Sequence, residues 1–372
     1  MIAKIKNFFK KETVLCAGLV LAIISSFFVT PSLDYINYID FRTLGILLSL
    51  MLVMAYLRQA EVFSNIGLVL LKKTGSVTGL SIVLVMLCFI FSMLITNDVA
   101  LITFVPFAIF TLSACGKNDK LFIVVILQTL AANLGSMLTP IGNPQNLYLY
   151  QTTGYSFDKF VRIMLPYTIV SLVFILVITI ARSGKKEQIT VEVKANKLNV
   201  KASIAGAILF VLCLLVVLRV IDYRVVLLVI LLYFIIVDRR IILKADYALL
   251  LTFIFFFIFT GNLGNIPAVA LALQSVVAGH EMIVSVLASQ AISNVPATLL
   301  LAGFVSDYES LLIGVNIGGL GTLIASMASL ISYKLFVNEQ PDNKGRYFKA
   351  FTLLNIVLLV ILIGVYFVDR AI

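Results

Sequence analysis

Two apolar runs of about fifteen residues flank one polar triplet, Thr96-Asn97-Asp98, in the stretch FSMLITNDVALITFVP over residues 91–106. Lipid cannot hydrogen-bond a main chain, so a polar break inside apolar surroundings tightly limits what the chain can fold into. Crossing a bilayer takes about 20 apolar residues, and each run is expected to fall short of that. The pattern predicts a re-entrant hairpin over residues 80–113 with the triplet at its tip. It returns in ASQAISNVPATLLLAGF, residues 288–304, where Ser293-Asn294-Val295 forms the tip of a second hairpin over 281–305. Two polar tips among apolar arms make a site at mid-membrane depth, the pattern of a secondary transporter.

Composition fixes the class. Hydrophobic residues make up 61% of the 372 and charged residues 12%, with a mean hydropathy of +1.11. That balance predicts an all-α polytopic membrane protein. The net charge of +10 raises the question of nucleic acid, but the basic residues sit in short loops between apolar runs, which is a topology signal. No nucleic-acid partner is expected. The four cysteines, Cys16, Cys88, Cys115 and Cys213, lie in or beside apolar segments without metal or redox spacing, and read as small apolar residues. MIAKIKNFFKKE runs into a first apolar segment that lacks a small-residue cleavage site, so no cleavable signal is expected. No HExxH, GxSxG or phosphate-binding loop occurs, so an enzyme or an ATP-driven pump has no residues to stand on.

Threading the chain by its basic loops puts the N-terminus in the cytoplasm and the C-terminus outside. Spans are expected at 14–30, 41–57, 121–139, 161–181, 203–218, 225–237, 247–260, 311–333 and 350–368, giving about nine spans plus two hairpins. The stretch VFSNIGLVLLKK should lie along the inner interface. Six cations fall at outside ends (Arg42, Lys159, Arg162, Arg219, Arg224, Arg370), leaving 22 of the 28 inside. A bias of that size supports an orientation in a cytoplasmic membrane. The halves also repeat. IDFRTLGILLSLM matches ADYALLLTFIFFF, LITNDVALITFVPF matches AISNVPATLLLAGF, and NLGSMLTPIGNPQNLYLY matches NIGGLGTLIASMASLISY. By the threading the two members of each pair face opposite ways. An inverted-topology repeat follows, with residues 1–182 and 203–372 as its halves and 183–202 as a cytoplasmic linker.

The polar breaks carry the chemistry. As helix N-caps, Thr96, Asn97, Asp98 and Ser293 would satisfy the free N–H groups of the second arms. The same geometry turns the positive end of a helix toward an anion, and the carboxamides of Asn97 and Asn294 can donate to an anion or accept from a cation. Pro140, Gly142 and Pro144 forbid continuous helix in one further break, and Gly318, Gly319 and Gly321 weaken it in the other. Unwound main chain at depth is tolerated where it is buried or lines a cavity, and its carbonyls suit Na⁺. Candidate substrate-binding residues are therefore Thr96, Asn97, Ser293, Asn294, Thr139, Asn143 and Thr322. Candidate ion-coupling residues are Asp98, Asn133, Gly135, Gly142, Asn316 and Gly318. Asp98 is the one acid set inside an expected membrane segment rather than at its end, where a charge must be paired, protonated or used. No cofactor is expected beyond Na⁺ or H⁺ as the coupling ion.

TNDVALITFVP, the GSMLTPIGNPQN run and SNVPATLLLAGF resemble the ion-transporter superfamily. This superfamily includes ArsB-type arsenite permeases, NhaD-type sodium/proton antiporters, citrate–proton symporters and divalent anion:sodium symporters. The last group carries Ser-Asn-Thr at both tips, whereas the Asn97-Asp98 pair here is closer to the ArsB and NhaD side. The resemblance implies an elevator, in which hairpins and broken helices move against a scaffold, usually in a homodimer. The scaffold would be spans 14–30, 41–57, 203–218, 225–237 and 247–260. The function expected is transport of a small inorganic or carboxylate anion coupled to Na⁺ or H⁺. Arsenite or antimonite efflux and sodium/proton exchange are the alternatives, and a passive channel is a further one.

Overall fold

The structure, a computed structural model, describes residues 12–72, 74–183 and 197–371. The N-terminal cations Lys4, Lys6, Lys10 and Lys11, Lys73, and residues 184–196 of the linker lie outside the described residues. Every regular element described is helical. The first half runs α1 (Thr13–Ser26), the single turn α2 (Tyr35–Tyr38), α3 (Phe41–Gln59), α4 (Val62–Leu71), α5 (Val77–Ile95), α6 (Asn97–Ala114), α7 (Asn118–Gly135), α8 (Pro144–Thr153) and α9 (Phe157–Ser183). The second runs α10 (Val200–Val217), α11 (Tyr223–Val237), α12 (Tyr247–Gly264), α13 (Pro267–Val277), α14 (Glu281–Ile292), α15 (Asn294–Leu301), α16 (Tyr308–Ile317), α17 (Met327–Glu339) and α18 (Lys344–Ala371).

Eight described helices are long and apolar enough to cross a membrane, so the chain is a multi-pass membrane protein. Some lengths differ from expectation. The arms α5 and α6 of the first hairpin have 19 and 18 residues, because helix continues through Val77–Gly79 at one end and Ala114 at the other. Each arm is thus about 27 Å long at 1.5 Å per residue, enough to reach across when upright. The expected spans 14–30 and 225–237 are shorter helices, α1 with 14 residues and α11 with 15. The expected span 311–333 is two short helices, α16 and α17, separated by the glycine-rich break. Helix α13, which periodicity did not mark, is bent by 109° from α14. With Leu271 and Val276 exposed, it precedes the second hairpin as α4 precedes the first.

Close approach positions the hairpins. Helix α7 packs along α5 and α6, and Gln128 on α7 donates from Nε2 to the Leu84 and Phe104 carbonyls, 3.1 Å each. One buried amide thus ties both arms to α7. At Gly135 an added Cβ would stand 2.1 Å from the Phe89 carbonyl oxygen and 2.7 Å from Ser92 Oγ. At Gly318 it would stand 2.9 Å from Ser289 Oγ, and Ser289 matches Ser92 in the repeat alignment. Cations expected on one side of the membrane also meet at one end: Lys159 pairs with Glu309 at 2.7 Å and Arg370 with Asp307 at 3.0 Å. Gln59, Asp238 and Lys244 meet one another elsewhere.

Gly135→Ala should lower the stability of the detergent-solubilised protein by about 1–3 kcal/mol, since the methyl must displace main chain. Gly364, beside which a Cβ meets nothing within 4 Å, is the control. Gly364→Ala should leave stability unchanged or raise it by up to about 1 kcal/mol. Circular dichroism melts suit a chain without tryptophan. Equal melting temperatures for the two variants would refute the tight α5–α7 contact.

Candidate functional site

The tips are built alike. Thr96 sits at φ 76°, ψ 148° and Ser293 at φ 72°, ψ 153°, a region a side chain rarely enters. Neither hydroxyl makes an N-cap hydrogen bond, so capping does not account for these residues. The turn is held from the next residue instead. The Asn97 N–H donates to the Gly142 carbonyl and the Asn294 N–H to the Ala325 carbonyl, both at 3.0 Å. Gly142 and Ala325 occupy matching places in the two breaks, so each tip docks on its own half's unwound segment by the same bond.

Behind the tips lies a buried amide network. Asn97 Nδ2 donates to Asn133 Oδ1 at 3.1 Å. Asn133 Oδ1 also accepts from Ser326 Oγ, and its Nδ2 donates to Ser329 Oγ, both at 3.1 Å. Asn316, the match of Asn133, behaves reciprocally. Its Oδ1 accepts from Asn143 Nδ2 at 3.2 Å and its Nδ2 donates to Asn146 Oδ1 at 2.6 Å. Ser326 and Ser329 are the matches of Asn143 and Asn146. Each half's asparagine therefore binds the other half's break. Asn97, Asn133, Asn143, Asn294 and Asn316 are all buried.

A cavity of about 160 Å³ opens beside the first tip. Thr96, Asp98 and Asn143 reach it from the hairpin and break, with Pro144 and Leu147 of α8. Helix α3 supplies the facing wall through Leu47, Leu50, Met51, Met54 and Arg58, one helical stripe, and Lys244 and Asp246 stand at the start of α12. The Asp98 N–H donates to Asn97 Oδ1 at 2.9 Å, whereas its carboxylate takes no hydrogen bond from a described residue, leaving it to the cavity. Asp246 accepts from the Leu249 N–H at 3.0 Å and so caps α12.

Other expected residues lie elsewhere. Ser293 and Asn294 are outside this cavity, and their hairpin packs through α15 against α12, where Thr260 Oγ1 donates to the Leu299 carbonyl at 3.2 Å. The Thr139 hydroxyl donates to the Met93 carbonyl and the exposed Thr322 to the Gln290 carbonyl at 3.5 Å, matching bonds that pin each break to its first arm. The main chain at Gly142 stands against Ser136, where a Cβ would lie 2.0 Å from the carbonyl oxygen.

The sequence residues 2–310 match the model of a family described as "Citrate transporter". The chain belongs to the citrate transporter family. A relative from Methanocaldococcus jannaschii, described as an uncharacterized transporter, is 32% identical over 89% of this chain and 91% of its own. Inner membrane protein YbiR of Escherichia coli is 30% identical over 80% of both chains. The silicon efflux transporter LSI3 of rice is 32% identical over 40% of this chain and 30% of its own. Membership makes this chain a transporter and not an enzyme. Three residues were not singled out from sequence: Asp246, which reads as a cap, Gln145 and Gln290. Gln145 is buried, yet neither amide atom has a partner among the described residues. Its signal in the sequence is its place inside GNPQN, between two asparagines that are used.

Asn316→Ala removes the partner of Asn146 Oδ1, while Asn143 Nδ2 keeps Ser136 Oγ, and should cost about 1–3 kcal/mol. Gln145→Met breaks no protein hydrogen bond and should leave the melting temperature unchanged or raised. A larger loss at 145 than at 316, read in the same thermal melts, would contradict the network.

Proposed function

We propose that this transporter moves a small anion, a citrate-like carboxylate or an oxyanion, across the cytoplasmic membrane, coupled to H⁺ or Na⁺ through Asp98. The observation that carries the reading is the cavity at the first tip, lined by Asp98, whose carboxylate has no hydrogen-bond partner among the described residues. A carboxylate left so at membrane depth is expensive unless the transport cycle uses it. The N-terminal end of α6 beside it turns a positive dipole toward an anion, although the Asn97 and Asp98 N–H groups are already committed to Gly142 and Asn97. Gln145, buried beside Pro144 with no partner among the described residues, does not line this cavity.

The cavity's position supports an elevator. It lies on the seam between α3, expected in the scaffold, and the hairpin with its break, expected to move. The matching tip of the other half is packed against α12. One tip open and its repeat partner closed is the asymmetry that alternating access requires. With the orientation read from the basic loops, Arg58 and Lys244 put the opening on the cytoplasmic side, with the C-terminus outside. The inverted repeat is supported by the paired tip geometry and the reciprocal asparagine bonds. A homodimer belongs to the same reading and is supported by the superfamily resemblance.

A second reading is efflux of a metalloid oxyacid such as arsenite or silicic acid. The lining sets two acids, Asp98 and Asp246, against two cations, Arg58 and Lys244, a formally balanced set that suits a substrate of little charge, and a rice relative is named for silicon efflux. Flux into proteoliposomes from a panel of citrate, oxyanions and uncharged oxyacids decides between them.

Asp98→Asn keeps the side chain's shape and removes only the titrating group. It should exchange substrate in counterflow near the parent's rate, yet lose gradient-driven accumulation. Parent-like accumulation would end the coupling role of Asp98. Asn97→Ala removes the tip's link to Asn133 and should reduce flux at least tenfold, about 1.4 kcal/mol or more. Normal flux in that variant would mean the tip only caps a helix.

A further inference from the structure

The carbonyls of the two breaks converge, and what they converge on is in each case an amide of the chain. In the first half Asn146 Nδ2 lies 3.4 Å from the Ser136 oxygen, 3.3 Å from that of Met137 and 3.2 Å from that of Thr139. In the second, Gln290 Nε2 lies 2.8 Å from both the Gly318 and Leu320 oxygens and 3.3 Å from that of Val286. The orientation of each amide is fixed by chemistry. Asn146 Oδ1 accepts from Asn316 at 2.6 Å, and Gln290 Oε1 accepts the Thr322 N–H at 3.0 Å. Reversing either amide would set an oxygen against three carbonyls. The residues are not repeat matches, since Ser329 matches Asn146 and Met93 matches Gln290. The halves reach one arrangement by different means.

A Na⁺ held by unwound main chain needs several carbonyls that no donor has already taken. Neither cluster offers them. Neighbouring oxygens are also used: those of Gly142 and Ala325 accept from the tips, and those of Asn316, Ile317 and Thr322 from the N–H groups of Gly319, Leu320 and Ala325. Gly321 makes room for the arrangement, with φ at 103° and a hypothetical Cβ only 2.3 Å from Gln290 Oε1.

We infer that the side-chain amides of Asn146 and Gln290 stand in for bound cations in the two breaks, so that these breaks hold their shape without Na⁺ and do not select it. The inference deepens the reading of the chain as an ion-coupled transporter and rests on it for its meaning. It directs coupling to the acid at the first tip. It makes Gln290 a determinant of ion specificity that acts by denying a site.

Thermal melts of the purified full-length protein in detergent test it, in NaCl against KCl and choline chloride at equal ionic strength. The parent should show no sodium-specific shift. Gln290→Glu puts a carboxylate against the Gly318 and Leu320 oxygens, and Asn146→Asp does the same in the first break. Each should melt lower than the parent in choline and recover by a saturable, sodium-dependent rise of a few degrees. A saturable sodium-specific stabilisation of the parent overturns the inference, and this arm decides it even if a variant fails to fold. Folded Gln290→Glu and Asn146→Asp with no sodium response overturn it too. The melts need no transport. Absence of flux from proteoliposomes would therefore strike the transport reading and leave this result standing.

Discussion

Lipid offers a main chain no hydrogen bonds, and the centre of this protein follows from meeting that constraint twice. Each hairpin ends in a turn at positive φ, and each turn is closed by an asparagine N–H given to a carbonyl of the adjacent break. The tip needs the unwound segment for a partner, and the unwound segment needs the tip. Neither is stable at depth alone, because an unpaired buried polar group costs about as much as several good contacts return. Around this pair Gly135 of α7 and Gly318 at the end of α16 let the helices approach, and Thr139 and Thr322 fasten each break to the arm it faces.

Much of this was legible because the sequence states the constraint openly. Apolar runs interrupted by Thr-Asn-Asp and Ser-Asn-Val, and by Pro and Gly in LTPIGNPQN and NIGGLG, leave hairpins and broken helices as the only arrangements lipid accepts. The repeat alignment placed residues that prove to have matching backbone and matching bonds. Boundaries were less legible. The hairpin was expected to begin at residue 80, yet Ser76 caps α5 by accepting the Gly79 N–H, so the arm begins three residues earlier. Helix α13, of 11 residues, was not marked because it is too short to span a membrane.

The site was legible in part. Asn97, Asn133, Asn143 and Asn316 were marked and form one network, and Thr96, Asp98 and Asn143 share a cavity. Gln290 was missed because a lone glutamine in an apolar arm looks like any satisfied core amide. Its partners are 28 and 30 residues away and are main-chain atoms, which have no letter in a sequence. Asp246 was read as matching Asp40. The two do share a capping role, each accepting from the N–H three residues on, but only Asp246 also lines the cavity. A repeat alignment shows what the halves have in common, whereas one open tip and one packed tip depend on how they differ.

The reciprocal asparagine bonds also bear on how the protein is made. Asn143 and Asn146 are synthesised about 170 residues before Asn316, which completes them, and Asn133 likewise precedes Ser326 and Ser329. Until the second half enters the bilayer, Asn146 Oδ1 and Asn133 Nδ2 lack the partners that Asn316 and Ser329 later supply. The nascent intermediate must keep that break near the aqueous interface or within the insertion machinery, where water can serve it. A chain truncated after α9 would expose the same amides to lipid for good. The centre of this transporter is thus closed only when its last third arrives, which makes assembly of the two halves one cooperative event and a half-length product a target for membrane proteolysis.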